Sequence, residues 1–228
     1  MMQSSLPQPD GLLFDLDGVI ADVRESYLRC IIETAADLGC VVSESDVETA
    51  KRRGRANNDW VLTRELLIER GIRVDLDEVT RIFQNRYLGS SGQPGARERE
   101  RLLAPTELLQ SLTTRYPSAI VTGRPRDEAE WFLGRFDISQ CFRSVVAMED
   151  APLKPAPAGV LLAMKRLGIT RPWMLGDTPD DMTAATAAGV VPVGVTSIIE
   201  NEETRRALID SGARLVISNI REIPRYLD

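Results

Sequence analysis

Short apolar runs alternate with amphipathic stretches through most of the chain. Continuous apolar runs are typical of strands buried on both faces, and apolar residues three or four positions apart are typical of helices. The runs predict strands at Gly11–Phe14, Ala119–Val121, Ser144–Ala147, Trp173–Leu175, Val190–Val195 and Leu215–Ile217. Helical spacing predicts helices at Thr106–Thr114, Pro125–Phe136, Ala156–Leu167, Pro179–Ala188 and Glu202–Ser211. The alternation indicates an α/β fold with a parallel sheet and helices on both faces.

The segment between the first two strands has a different pattern. Its spacing is helical throughout, and it predicts helices at Ser26–Leu38, Glu44–Lys51, Asp59–Glu69 and Asp75–Tyr87. The cluster Gly89–Gly95 is rich in Gly, Ser and Pro, so it ends the helical pattern. We therefore predict an α/β core at residues 1–21 and 100–228, with an inserted all-α domain at residues 22–99.

The absence of histidine narrows the possible chemistry. None of the 228 residues is histidine, which excludes Ser-His-Asp and Cys-His nucleophilic machinery and HExxH zinc sites. Acid–base work must then fall to carboxylates, Lys, Tyr or Cys. The cysteines are scattered at Cys30, Cys40 and Cys141, with no CxxC pair. This usage predicts no structural zinc and no disulfide framework, and a reducing, cytoplasmic location.

The charge balance bears on the expected partners. The net charge of −6 argues against nucleic acid or an anionic membrane surface as the main partner, because both favour a basic face. No stretch approaches 18 uninterrupted apolar residues, so we expect no membrane span. The oligomeric state is not predicted by any feature of the sequence.

Polar side chains follow four of the predicted strands. Asp15 and Asp17 follow the first strand, and Thr122–Arg124 follows the second. The segment Asp150–Pro155 follows the third strand, and Gly176–Asp181 follows the fourth. Ligands of open parallel sheets bind at the carboxyl ends of the strands, so these segments should converge on one crevice.

The residue types at these strand ends suit a phosphoryl group. Asp15, Asp17 and Asp177 carry enough negative charge to need a hard divalent cation with oxygen ligands, usually Mg²⁺. Lys154 adds a fixed positive charge, and the Thr122 hydroxyl and the Gly123 amide add donors for an oxyanion. One carboxylate can then attack phosphorus, while the second protonates the leaving oxygen and later deprotonates water.

Each of these segments also has a purely structural interpretation. Thr122–Pro125 suits a strand-to-helix turn with proline at the first helical position. Lys154 suits a solvated loop. Thr178 and Asp181 suit a capping box at a helix start, so Asp181 could serve the helix alone.

The order of the motifs adds a resemblance. Asp15–Val19, Thr122–Gly123, Lys154–Pro155 and Gly176–Asp181 resemble, in this order, the four motifs of the haloacid dehalogenase-like hydrolase superfamily. The resemblance runs from about residue 11 to the end of the chain. The helical insert is similar to the small α-helical cap of one subfamily. The resemblance implies a Rossmann-like core with an inserted cap domain.

The resemblance also implies roles for individual residues. Asp15 would be the nucleophile and a Mg²⁺ ligand. Asp17 would be the general acid–base and bind Mg²⁺ through its backbone carbonyl. Thr122 would contact the phosphoryl group, and Lys154 would balance its charge. Asp177 would bind Mg²⁺, with Asp181 either a further ligand or a neighbour of the ligands.

Asp17 selects among the reactions of the superfamily. The haloacid dehalogenases lack a matching aspartate, since departing halide needs no proton, and the ion-pumping ATPases carry threonine there. We therefore expect a Mg²⁺-dependent phosphatase that hydrolyses a small phosphorylated metabolite through an aspartyl-phosphate. A sugar phosphomutase with the same chemistry is one alternative, and a catalytically silent binding protein is another.

Substrate recognition is expected from the insert. The segment Lys51–Trp60 gathers cations and amides around Gly54, and similar caps use this place to touch the substrate. Arg55, Asn57 or Asn58 could clamp a polar leaving group, and Arg124 is a further candidate beside Gly123. The alternative is a solvated helix face whose cations pair with Glu44, Asp46 or Glu48. The substrate stays open: similar chains fused to a histidine-biosynthesis dehydratase would suggest histidinol phosphate, but no residue tests that link.

Overall fold

The structure is a computed structural model that describes residues 6–54, 56–90 and 92–227. The chain divides into two compact units, one formed by residues 1–21 and 102–228 and the other by residues 22–101. In chain order the strands are β1 (Leu12–Phe14), β2 (Ala21–Asp22), β3 (Gly89–Ser90), β4 (Gln93–Pro94), β5 (Arg101–Leu102), β6 (Ser118–Val121), β7 (Ser144–Val146), β8 (Trp173–Gly176), β9 (Val191–Val195) and β10 (Leu215–Ile217).

The α-helices agree with the predicted ones to within about two residues at most ends. They are α1 (Arg29–Asp37), α2 (Glu44–Arg53), α3 (Asp59–Glu69), α4 (Leu76–Leu88), α5 (Thr106–Arg115), α6 (Arg126–Arg135), α7 (Ala158–Leu167), α8 (Pro179–Ala187) and α9 (Glu202–Asp210). The predicted first helix is longer than α1, because a π-helical segment at Arg24–Leu28 precedes it.

A six-stranded sheet in the order β10-β9-β8-β1-β6-β7 forms the centre of the first unit. All its strand pairs are parallel. Strand β1 lies between β8 and β6, with Leu12 opposite Trp173 on one side and Ser118 on the other. Leu12, Leu13 and Phe14 point to alternate faces and all three are fully buried, so both faces of the sheet are covered. This explains the continuous apolar run, and the predicted α/β Rossmann-like fold is confirmed.

The strand order also places the polar segments. Because β6, β1 and β8 are parallel neighbours, their carboxyl ends lie at one edge of the sheet. The residues that follow these ends are Thr122, Asp15 and Asp177. The topology therefore brings three of the predicted site segments to the same place.

Helices α1 to α4 form the second unit, with α1, α3 and α4 packed against one another. Its core contains Ile31 of α1, Leu66 of α3 and Phe83 of α4. Sequence analysis missed the hairpin of β3 and β4, which falls in the predicted breaker cluster. Gly89 there has φ +81°, and a Cβ atom on it would lie 2.5 Å from the Gln93 carbonyl oxygen, so the tight turn requires glycine.

The three cysteines are unpaired and buried in the structure. Within the described part of the chain, no helix combines the length and apolar character needed to cross a bilayer.

Candidate active site

Asp15 is the residue directly after β1, and its position is fixed by backbone contacts. Its N–H donates to the Leu175 carbonyl of β8 at 2.8 Å, and its Oδ1 accepts a hydrogen bond from the Leu16 N–H at 2.8 Å. The side chain is only 6% exposed as a residue. The central strand therefore holds this carboxylate in the sheet-edge crevice.

Lys154 reaches the same crevice from the loop after β7. Its Nζ lies 2.9 Å from Asp15 Oδ1, 2.5 Å from Asp181 Oδ1 and 3.1 Å from the Val121 carbonyl oxygen. These partners satisfy the three donors of a buried ammonium. The interpretation of Lys154 as a solvated loop lysine is therefore wrong.

The charges in the crevice shift the pKa values of both members of this ion pair. Burial alone would lower the pKa of Lys154, but the negative charges of Asp15 and Asp181 outweigh it and raise that pKa above its ordinary value. Burial raises the pKa of Asp15 to about 7, with Lys154 opposing the rise and Asp181 and Asp17 adding to it. A further positive charge near Asp15 would favour its ionised form.

Three carboxylates meet at this point. Asp15, Asp177 and Asp181 each offer an oxygen atom, and these atoms all lie within 4.8 Å of one another. The proximity of Asp15 and Asp177 agrees with the spacing that a shared cation requires. Three carboxyl groups lie beside the ammonium of Lys154, and each of them offers an oxygen ligand. The residues thus fit a hard cation such as Mg²⁺.

Two glycines make room for the carboxylates, and sequence analysis assigned them no role. Gly18 has φ +72°, and a Cβ atom on it would lie 1.8 Å from Asp177 Oδ2. A Cβ atom on Gly176 would lie 2.2 Å from Asp181 Cβ. Both positions lie inside the quoted motifs, but only the folded chain reveals the steric reason for glycine.

Asp181 has the capping function that the sequence offered as one alternative, and its second oxygen lies in the crevice. Its Oδ2 accepts hydrogen bonds from the Thr178 N–H at 3.0 Å and the Thr178 hydroxyl at 2.6 Å, completing a capping box at the start of α8. Its Oδ1 accepts from Lys154. One fully buried carboxylate therefore begins a helix and faces the crevice.

The strand end after β6 supplies Thr122 and Gly123. Thr122 is buried, and its N–H donates to the Val146 carbonyl at 2.9 Å. Its Oγ1 accepts a hydrogen bond from the Arg124 N–H at 3.2 Å, so the hydroxyl hydrogen can donate elsewhere. Gly123 is half-buried in the turn that leads to α6. The strand-to-helix turn is therefore present, and it does not exclude an oxyanion contact.

The position of Arg124 differs from the predicted substrate contact. Its side chain is 1% exposed and binds Asp17 Oδ1 through Nε at 2.7 Å and Nη2 at 2.5 Å. Its guanidinium carbon lies 5.3 Å from the centre of the Phe132 ring. Because this group is buried against Asp17, the structure does not support the prediction that Arg124 contacts the substrate.

Asp150 organises the loop that carries Lys154, a role that sequence analysis missed. Its carboxylate accepts from the Ala147 N–H at 2.9 Å and pairs with Arg126 and with Arg166. These contacts join the loop after β7 to the start of α6 and the end of α7. No local sequence signal marks such a long-range pairing.

The candidate residues of the inserted unit give a mixed result. Arg55 lies outside the described residues, and Asn57 is half-buried in the loop before α3. Asn58 caps α3, because its Oδ1 accepts hydrogen bonds from the Trp60 N–H at 3.0 Å and the Val61 N–H at 3.1 Å. Its substrate contact stays a prediction beside this structural role.

The neighbouring cations of that unit have carboxylate partners. Lys51 pairs with Asp59, Arg52 with Glu48 and Arg53 with Glu69. Of the predicted acidic partners, Glu48 takes part in these pairs, whereas Asp46 binds Arg70. The predicted pairing therefore holds for Arg52, whereas Lys51 and Arg53 pair with carboxylates that were not predicted.

Comparison with known proteins places this geometry in a family. The sequence profile of the haloacid dehalogenase-like hydrolases matches residues 12–195. An imidazoleglycerol-phosphate dehydratase of Phytophthora nicotianae is 42% identical over 193 residues, which cover 81% of this chain and 42% of that protein. The chain thus spans less than half the length of this relative.

A phosphoglycolate phosphatase of Pseudomonas syringae pv. tomato is 29% identical over 96% of this chain and 80% of its own length. Among solved structures, a conserved haloacid dehalogenase-like protein of Agrobacterium tumefaciens has the same fold, with a TM-score of 0.75 and 20% identity. It covers 95% of this chain and 96% of that one. The chain therefore belongs to the family of haloacid dehalogenase-like hydrolases, whose four motifs its own motifs resemble.

Proposed function

We propose that this chain is a Mg²⁺-dependent phosphatase that hydrolyses a small phosphomonoester through an aspartyl-phosphate on Asp15. The observation that carries this proposal is the buried cluster in which Asp15 lies against Lys154 and within 4.8 Å of Asp177 and Asp181. A nucleophilic carboxylate, a fixed cation and a set of oxygen ligands are the parts that phosphoryl transfer needs.

Asp15, Asp177 and the backbone carbonyl of Asp17 would hold the Mg²⁺ ion, with Asp181 as a further ligand or as a neighbour that holds Lys154. The bound ion would keep Asp15 ionised and neutralise charge on the phosphoryl oxygens. The net excess of carboxylates over ammonium groups in the cluster supports this assignment.

In the first step, a carboxylate oxygen of Asp15 attacks phosphorus, and the bond between phosphorus and the leaving oxygen breaks. Lys154, the Thr122 hydroxyl and the Gly123 N–H stabilise the phosphoryl oxygens. Asp17 gives its proton to the leaving oxygen, so the alcohol departs neutral and Asp17 becomes a carboxylate.

In the second step, a water molecule attacks the phosphorus of the aspartyl-phosphate. Asp17 takes a proton from this water, and the bond between phosphorus and Asp15 breaks. Inorganic phosphate leaves, the Asp15 carboxylate is restored, and Asp17 again carries the proton that it needs for the next cycle.

The substrate is proposed to be a small phosphorylated metabolite. The name of the Pseudomonas relative makes 2-phosphoglycolate the first natural compound to test. Histidinol phosphate belongs in the same panel, because the Phytophthora relative is named an imidazoleglycerol-phosphate dehydratase and the sequence analysis connected this compound with fusion to a dehydratase.

The testing experiment measures p-nitrophenyl phosphate hydrolysis with Mg²⁺ and with EDTA, in the natural chain and in Asp15→Asn. We expect turnover that needs Mg²⁺ and is lost in the variant. Asp210→Asn, at the exposed end of α9, is the matched control and should keep full activity. Metal-independent turnover, or an active Asp15→Asn enzyme, would contradict the mechanism. Isomerisation of a sugar phosphate without phosphate release would indicate the phosphomutase, and absence of both reactions the silent binding protein.

A further inference from the structure

The buried contact between Arg124 and Asp17 has no place in the mechanism above. It joins residues 107 positions apart in the sequence. A guanidinium whose side chain is 1% exposed has lost nearly all its water, so its contacts must hold it firmly in one orientation. The Asp17 side chain, in contrast, is 25% exposed and remains open to the crevice.

Arg124 is itself fixed from several sides. Its N–H donates to the Thr122 hydroxyl oxygen at 3.2 Å, and its carbonyl accepts from the Met148 N–H at 3.0 Å. The planar guanidinium lies over the Phe132 ring of α6. The group is therefore anchored to the turn after β6, the loop after β7 and helix α6.

The contacts from Arg124 to Asp17 are made to one carboxylate oxygen, Oδ1. Nε donates a hydrogen bond to Oδ1 at 2.7 Å, and Nη2 lies 2.5 Å from the same oxygen as an ion-pair contact. Among the described residues, none donates a recorded hydrogen bond to Oδ2. Arg124 thus holds the Asp17 carboxylate through one of its two oxygens.

We propose that Arg124 is a positioning residue that fixes the Asp17 carboxylate through Oδ1, so that Oδ2 exchanges the proton with the leaving oxygen and with water. This inference rests on the proposed phosphatase function. Arg124 does not touch the substrate in this assignment. Its two contacts to a single oxygen set the orientation of the carboxylate, which a single lysine contact would define less well.

The test compares two substrates of similar shape and different leaving-group acidity, p-nitrophenyl phosphate and phenyl phosphate. The value of kcat/KM reports the steps up to formation of the aspartyl-phosphate. Phenol is the less acidic leaving group, so its departure depends more on the proton from Asp17. We expect Arg124→Gln to lower kcat/KM for phenyl phosphate about 10- to 100-fold, a part of the usual general-acid contribution, and to change it for p-nitrophenyl phosphate less than about 3-fold.

Two further variants make the test specific. Arg124→Lys should recover only part of the loss on phenyl phosphate, because it restores charge but not two contacts. Arg135→Gln removes an exposed guanidinium that lies 5.3 Å from the Trp131 ring of the same helix, and it should change neither substrate. In an Asp17→Asn background, adding Arg124→Gln should change the residual rate less than about 2-fold, since the two residues act as one unit.

The outcomes separate this inference from the proposed function. A natural chain that hydrolyses neither substrate would overturn the phosphatase proposal and this inference together. An active natural chain whose Arg124→Gln variant loses both substrates equally, while thermal unfolding shows it to be folded, would overturn only the positioning role. A loss that is additive to that of Asp17→Asn would do the same. If Arg124→Gln does not fold, Arg124→Lys decides the question. The role would be overturned if the kcat/KM values of Arg124→Lys, each divided by that of the natural chain, were the same for both substrates.

Discussion

The ammonium of Lys154 lies 2.9 Å from Oδ1 of Asp15, and both side chains are almost completely buried. A buried pair of this kind is strong only while both partners are present, because either charge alone would lack water. Stability and chemistry therefore depend on the same contact.

Replacement of Lys154 by glutamine should damage both properties. We expect kcat on p-nitrophenyl phosphate to fall about 100- to 1,000-fold, since a preorganised cation near the phosphoryl group is lost. Breaking the buried pair should also lower the free energy of unfolding by roughly 3–5 kcal/mol. Steady-state kinetics and urea denaturation measure the two effects. Lys165→Gln, exposed on α7, is the control, and near-normal turnover in Lys154→Gln would refute the assigned role.

Without divalent cation, stability should fall as the pH rises through the titration of Asp15. The unfolded chain releases this proton near pH 4, whereas burial keeps the folded pKa at about 7. The folded state therefore binds the extra proton between about pH 4 and 7, and its advantage disappears as the pH passes 7. For one proton the slope is at most about 1.4 kcal/mol per pH unit.

Urea denaturation in EDTA at several pH values measures this slope. Asp15→Asn should show a smaller decrease over the same range, because its amide does not titrate. Added Mg²⁺ should stabilise the natural chain more at pH 7 than at pH 5. Parallel curves for the natural chain and the variant would show that Asp15 has an ordinary pKa.

Gly18→Ala should weaken activation by Mg²⁺. Its Cβ atom would lie 1.8 Å from Asp177 Oδ2 and would displace that carboxylate. We expect the Mg²⁺ concentration for half-maximal activity to rise at least about 10-fold, the size of a ligand-shell defect. Gly39→Ala is the matched control, because Gly39 has a similar φ of +79° but nothing lies within 4 Å of the added Cβ atom.

Both alanine variants should lose about 1 kcal/mol of stability from the left-handed backbone. Only Gly18→Ala should change the Mg²⁺ requirement, as a titration of activity against Mg²⁺ would reveal. An equal change in Gly39→Ala would mean that backbone strain, and not the displaced carboxylate, is responsible.

Asn58→Ala should destabilise α3 by about 1 kcal/mol, because the side-chain acceptor at its first turn is lost. Asn58→Asp keeps an acceptor and should keep the stability. Thermal unfolding compares the two variants. The KM for a phosphorylated substrate tests the predicted contact separately. Because Asn58→Asp should keep the stability, a higher KM in this variant supports the substrate contact. An unchanged KM restricts Asn58 to capping.

Much of the fold was predictable because its signals are local. Leu12–Phe14 is continuously apolar since both faces of β1 are covered, and α3 begins and ends at the predicted residues. The hairpin at Gly89–Pro94 was missed because strands of two residues show no periodicity.

The sequence predicted most residues of the site, but it predicted fewer of the contacts between them. The order of the motifs predicted that Asp15, Lys154 and Asp177 lie close together, and the structure places them together. The pairing of Arg124 with Asp17 could not be found, because residues 107 positions apart carry no shared local pattern. Likewise, the sequence around Lys154 is typical of a surface lysine, and only the folded structure reveals its buried partners.

The position of β1 at the centre of the sheet has a consequence during translation. This strand is made first, but its neighbours β6 and β8 begin at Ser118 and Trp173. At roughly 5–20 residues per second, a ribosome needs about 8–30 s to travel from β1 to β8. During that interval the apolar Leu12–Phe14 segment has no complete sheet to enter, and the Asp15 carboxylate lacks the strand that Asp177 follows. Nascent chains that stall before Trp173 should therefore be both inactive and the forms most dependent on chaperones.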